Sequence, residues 1–232
     1  LLAGDRATRL YANPEARTYY EQALTTARGM AKSAEAQQAE IEATLKIAGV
    51  AWTREHFEQD LVSLQRAQAL AEGLGDLPRL SRVLYWLGRI HYTVGRTDTG
   101  IEYARRALEL AEQLADETLQ APPVNLLGRA HFVRGEPQKA CALLARSVRQ
   151  MHAIGNRVEE ATASGMLGRS HAHLGQFPEA LDAAEHGLRI AEEIEHLPTL
   201  AACLMYRGHL NCWRGDFSGL EDLERGLEIA EK

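Results

Sequence analysis

At 232 residues, with 45% hydrophobic and 25% charged side chains, the chain has the make-up of a globular protein, and no apolar run approaches the ~18–20 residues that a membrane helix needs. The 26 basic and 32 acidic residues give a net charge of −6, with no block of Lys or Arg to neutralise a phosphate backbone, so direct nucleic-acid binding is not expected. Nothing in residues 1–20 reads as a secretory leader. Three cysteines without CxxC spacing, Cys141, Cys203 and Cys212, are expected as buried reduced thiols in a cytoplasmic protein. The missing initiating Met is expected of an excised piece of something longer.

In chain order, the apolar spacing predicts helices in pairs. First helices are expected at about 1–11, 35–52, 77–94, 117–134, 157–174 and 197–214. Second helices are expected at about 14–31, 55–73, 97–115, 137–153, 177–195 and 217–231. The stripe Leu80, Val83, Leu84, Leu87, Ile90 and Val94 shows the helical period in one first helix, and Phe177, Ala180, Leu181, Ala184, Leu188 and Ala191 show it in a second. Leu220, Leu223, Leu227 and Ala230 give the last helix an apparently ordinary stripe.

The pairs repeat every forty residues. Leu87-Gly88-Arg89, Leu127-Gly128-Arg129 and Leu167-Gly168-Arg169 keep that interval, as do His91, His131 and His171, and Gly95, Gly135, Gly175 and Gly215. Asp76, Asp116 and Asn156 stand where short side-chain oxygens can cap a helix start. The later glycines stand where a helix must end. Gly88, Gly128, Gly168 and Gly208 lie inside first helices, where each costs about 1 kcal/mol against Ala. A cost repeated in register implies a repeated benefit, and close approach of a neighbouring helix supplies it. Repeats of about 1–34, 35–75, 76–115, 116–155, 156–195 and 196–232 result, in a single domain.

These residues resemble the tetratricopeptide signature W-x2-L-G-x2-Y followed by a later Ala. The copies read Leu84-x2-Leu87-Gly88-x2-His91, Val124-x2-Leu127-Gly128-x2-His131 and Ser164-x2-Leu167-Gly168-x2-His171, with Ala140 and Ala180 following. Thr44-x2-Ile47-Ala48-x2-Ala51 and Leu204-x2-Arg207-Gly208-x2-Asn211 are degenerate copies. The departures are the forty-residue period, His for Tyr, and the lack of a closing Pro. The resemblance implies an all-α, TPR-type α-solenoid of about six helix pairs in a right-handed superhelix. Near the start, Ala7-Thr8-Arg9-Leu10-Tyr11-Ala12-Asn13-Pro14-Glu15-Ala16 and Tyr19-Tyr20-Glu21-Gln22-Ala23-Leu24 resemble the opening of the C-terminal repeat region of bacterial signalling ATPases. Those include adenylate or guanylate cyclases with an ATPase module and LuxR-type regulators, in which the repeats act as a sensor or docking arm. The forty-residue period also resembles peptide-clamping adaptors of the Pins and kinesin-light-chain kind.

No P-loop, Gly-rich loop after a strand, or strand pattern is present, so neither an enzyme nor a nucleotide cofactor is expected in this segment. His171 and His173 lie two apart and point to different helix faces, so no metal is expected. His91, His131 and His171 hold the aromatic position of the repeat and are expected to pack between helices. The resemblance places Arg89, Arg129, Arg169 and His209 on the face that lines the groove, with Tyr85, Tyr92, Asn125, Phe132, His173 and Trp213. Arg beside aromatics is a combination that dominates binding hot spots. Each Arg could equally bridge to a Glu of the next repeat and set the superhelical pitch. The expected function is therefore a non-catalytic interaction or sensor arm of a signalling protein that binds a peptide or protein segment. The alternative is a structural spacer that self-associates through its ends.

Overall fold

The computed structural model describes residues 1–10, 12–31, 33–50 and 56–231. Tyr11, Ala51 and Trp52, and the expected helix start at Glu55, lie outside the described residues. Among those described there are twelve α-helices: α1 (Leu2–Arg9), α2 (Asn13–Gly29), α3 (Ala34–Val50), α4 (Phe57–Leu74), α5 (Leu77–Thr93), α6 (Thr97–Gln113), α7 (Glu117–Val133), α8 (Pro137–Ala153), α9 (Arg157–His173), α10 (Phe177–Glu193), α11 (Leu197–Trp213) and α12 (Gly219–Ala230). This is the all-α solenoid class. The chain divides into two compact units, Leu1–Leu119 and Gln120–Lys232.

Local chemistry sets the helix ends. The Asp76 carboxylate accepts from the Arg79 N–H at 3.1 Å, and Asn156 Oδ1 accepts from the Glu159 N–H at 3.2 Å. Asp116 accepts from both Thr118 and Leu119. At the last repeat His196 takes the same role, its Nδ1 accepting from the Thr199 N–H. The turns that close the first helices α5, α7, α9 and α11 use Gly at positive φ, as at Gly135 (φ 75°). Unlike α2, which ends at Met30 in extended backbone, α4, α6, α8 and α10 also close with a left-handed turn. Gly75 and Gly155 hold it in two repeats, whereas Ala115 (φ 51°) and Glu195 (φ 52°) hold it without glycine. Within α7, Pro122 and Pro123 sit inside the helix, and each lacks the N–H that would bond back four residues.

In the first unit, Ile41, Leu45, Leu64, Leu84 and Leu87 form a core with the small residues Ala67, Ala71 and Ala107. The first helices α3 and α5 pack on each other, as do α9 and α11 in the second unit. The interior glycines serve a different contact, the one between a first helix and the second helix of its own repeat. A Cβ on Gly168 would lie 2.7 Å from the Ala180 carbonyl oxygen, and one on Gly128 would lie 2.8 Å from Leu144 Cγ. The neighbouring second helix therefore rests on bare backbone.

Three expectations need correction. The stripe assigned to the last helix is wrong: Leu220 and Leu227 are 50% and 58% exposed, while Gly219 and Gly226 are buried. A side chain on Gly219 would strike the Gly208 carbonyl, and one on Gly226 would come within 3.1 Å of the Ala201 carbonyl. Leucine does not fit either place, so α12 slips by one residue from the forty-residue register. Of the cysteines, Cys203 is fully buried and its thiol is pushed up to about 12 by that burial, but Cys141 and Cys212 are half-buried. The histidines also differ. His91 is buried and stacks on Tyr103, with ring centroids 5.5 Å apart. His131 and His171 instead reach Glu136 and Gln176, at the start of the following helix. The equivalent of those acceptors beside His91 is Arg96, whose side chain cannot accept, and among the described residues His91 Nδ1 has no hydrogen-bond partner.

Candidate functional site

The second unit presents one face on which most of the expected residues meet. On a first helix each Arg directly follows the Gly that touches the neighbouring second helix, about 100° further round, and so turns away from that contact. On α7, Asn125 is 4% exposed and its Oδ1 accepts from Arg129 Nε at 2.6 Å. Its Nδ2 is buried and has no acceptor among the described residues. Arg129 also approaches Glu159 of α9, with N···O 4.0 Å. At that separation, and partly exposed, the pair contributes at most ~1 kcal/mol.

Arg169 on α9 is treated differently. Its guanidinium lies over the Phe132 ring at 5.0 Å and the Tyr206 ring at 5.8 Å. Among the described residues it has no carboxylate or carbonyl partner. Beside it, the His173 ring meets Phe132 and Trp213 edge-on, both with centroids 4.8 Å apart. Aromatic groups thus link α7, α9 and α11 in sequence. His173 Nδ1–H donates to the Arg169 carbonyl and His209 Nδ1–H to the Met205 carbonyl, at 2.9 and 2.7 Å. Because carbonyls only accept, these bonds fix both Nδ1 atoms as protonated.

Between α9 and α11 a cavity of about 290 Å³ opens, lined by Ala172, Ala202, Met205, Tyr206, Leu210 and Trp213, with Arg169 and His209 at its rim. Trp213 is 60% exposed. Tyr206 was not among the residues expected here. A side chain on Gly165 would overlap the Tyr206 ring, so the bare backbone of α9 admits it. A glycine four residues before the repeated Arg, where the other repeats carry Tyr85 and Asn125, was the available signal.

In the first unit Tyr85, Arg89 and Tyr92 lie on α5. Arg89 donates to the Tyr85 hydroxyl at 2.8 Å and lies 5.4 Å from the Trp86 ring centre. Both units therefore place Arg against aromatic rings. Among the described residues no cluster of three His, Cys, Asp or Glu side chains is placed to hold a metal ion. No described helix is long and apolar enough to cross a membrane.

Family models described as tetratricopeptide repeat match residues 81–114 and 120–193. Among proteins of curated function, none is detectably similar in sequence. Solved structures share the fold at low identity. BtubC (BKLC) from P. vanneervenii superposes with a TM-score of 0.75 at 17% identity, covering 93% of this chain and 89% of that one. A signal transduction ATPase with numerous domains, carrying a tetratricopeptide repeat sensor, from Pyrococcus horikoshii gives 0.72 at 18% identity. It is matched over 98% of this chain but only 35% of its own. The Rap conjugation gene regulator of plasmid pLS20, in complex with the Phr* peptide, gives 0.75 at 18% identity, over 100% and 72%.

Proposed function

Because this chain is a tetratricopeptide-repeat protein, we propose that it is a non-catalytic interaction arm of a signalling protein, which receives a peptide or protein segment on the α7–α9–α11 face. The observation that carries this reading is the exposed Trp213 beside a largely apolar cavity, with the guanidinium of Arg169 lying over two aromatic rings at the same place. Trp, Tyr and Arg are the side chains that dominate binding hot spots. Likeness to a peptide-bound regulator and to an ATPase with a repeat sensor supports the same class of role. Chemistry in a parent protein would belong to other segments.

Photo-crosslinking tests the reading. With a photoreactive residue at the exposed His209, a discrete cross-linked species is expected in extracts of the source cells. It should be absent when the label sits at Val62 of α4 and when Trp213→Ala accompanies the His209 label. The same products from both positions would refute it. A second reading, self-association through the last helix, is favoured by the exposed Phe217, Leu220 and Leu227. Sedimentation that stays monomeric up to millimolar concentration, or is unchanged by Leu227→Glu, would exclude it.

A further inference from the structure

Resting on that reading, we infer that the segment received by the α7–α9–α11 face carries an acidic side chain next to a large apolar one. Arg169 takes the acid, and the cavity beside it takes the apolar group. Two neighbouring arginines show why Arg169 is the position that recognises charge. Arg129 already shares its donors with Asn125 and Glu159. The Arg169 guanidinium lies over the rings of Phe132 and Tyr206 and among the described residues has no carboxylate or carbonyl partner. Stacking occupies the flat sides of a guanidinium and leaves its N–H edge available, which matches the two oxygens of a carboxylate. The rings also hold the group in place before a ligand arrives, which lowers the cost of ordering it.

The cavity sets the second requirement. At about 290 Å³ it is at the bottom of the ~300–1,000 Å³ typical of small-molecule sites, so it suits one anchoring side chain rather than a whole metabolite. Ala172, Ala202, Met205, Leu210 and the exposed Trp213 give it a largely apolar lining.

A segment that passes over Phe132 of α7 and Arg169 to reach the cavity continues past Arg169 in both directions. An internal Asp or Glu fits that path. The overall charge of −6 gives no long-range pull on an acidic partner, so the attraction is local and weakens with salt.

The test is selection of random displayed peptides of about twelve residues, long enough to cross three helices when extended, on the immobilised full chain. Enriched peptides are then measured against Arg169→Gln and Trp213→Ala, both exposed positions, with circular dichroism confirming the fold. Enriched sequences are expected to share Asp or Glu beside Leu, Phe or Trp, and to lose about tenfold or more in affinity with either variant. Peptides that need Trp213 but share no acid, or bind Arg169→Gln unchanged, overturn the inference and leave the interaction role standing. No enrichment, or enrichment indifferent to both variants, overturns both. A fluorescent single-stranded oligonucleotide that binds more tightly than any selected peptide, and needs Arg169, would assign the cation to phosphate and also overturn the inference.

Discussion

Replacing Gly168 with alanine should destabilise the protein, although the same change in an open helix stabilises. Away from contacts, Gly→Ala inside a helix gains about 1 kcal/mol through backbone entropy. At Gly168 the new Cβ would lie 2.7 Å from the Ala180 carbonyl oxygen and 3.3 Å from the Ala184 nitrogen. Both atoms belong to the α10 backbone, so no side chain can swing aside, and the helix itself must move by several tenths of an ångström. Overpacking costs about 1–3 kcal/mol, and because both clashing atoms are backbone the cost here falls at about 2–3 kcal/mol. The net effect is a loss of about 1–2 kcal/mol, which lowers Tm by about 2–8 °C for a chain of this size. Gly73 of α4 is the control, because nothing lies within 4 Å of a Cβ built there. Gly73→Ala should leave Tm unchanged or raise it. Gly128→Leu should fall further than Gly168→Ala, since its branched side chain would enter the space of the buried Leu144. Thermal and urea melts followed by circular dichroism compare the three variants with the parent. A Gly168→Ala protein as stable as the parent would show that α9 and α10 are not in backbone contact at this level.

Glu195→Gly should raise stability by about 1 kcal/mol, because Glu195 stands at φ 52°, where a Cβ is penalised by about 1–2 kcal/mol; an unchanged urea midpoint would count against it. The His91 imidazole is pushed below its ordinary value of 6.5, first by burial and then by the charge of Arg96. The unfolded chain therefore takes up that proton first, and stability should fall as pH drops below about 6.5 and continue falling until the folded pKa is passed. His91→Phe, which keeps the stack on Tyr103, should flatten the stability difference between pH 7.5 and 5.5; an identical slope would refute the assignment. Cys203, buried and with its thiol near 12, should resist a thiol reagent in the folded protein while Cys141 and Cys212 react, so three equally fast thiols would contradict the packing.

What the sequence reveals and what it hides follow from the range of the forces involved. The caps at Asp76, Asp116 and Asn156 were legible because each answers to its own backbone, and the close-contact glycines because forty-residue repetition marks them out. The last helix was misread because the period was carried forward rigidly, placing Leu220 and Leu227 where only bare backbone fits. The clue was present: Ala180 and Gly187 are seven apart, as are Gly219 and Gly226, so the small pair survives with its spacing and shifts by one residue.

The same reasoning separates the arginines. Thirty residues after Arg129 stands Glu159, which meets it; thirty after Arg169 stands Thr199, buried in the helix start beside His196. A repeat aligns the cations automatically, but whether each finds an acceptor depends on a second position that the repeat leaves free to vary. In a stacked fold the shared residues therefore report packing, and function is carried where the register holds one partner of a contact and drops the other. Arg169 is such a position, and its aromatic neighbours Phe132 and Tyr206 come from the helices on either side, so no single repeat read alone could have shown it.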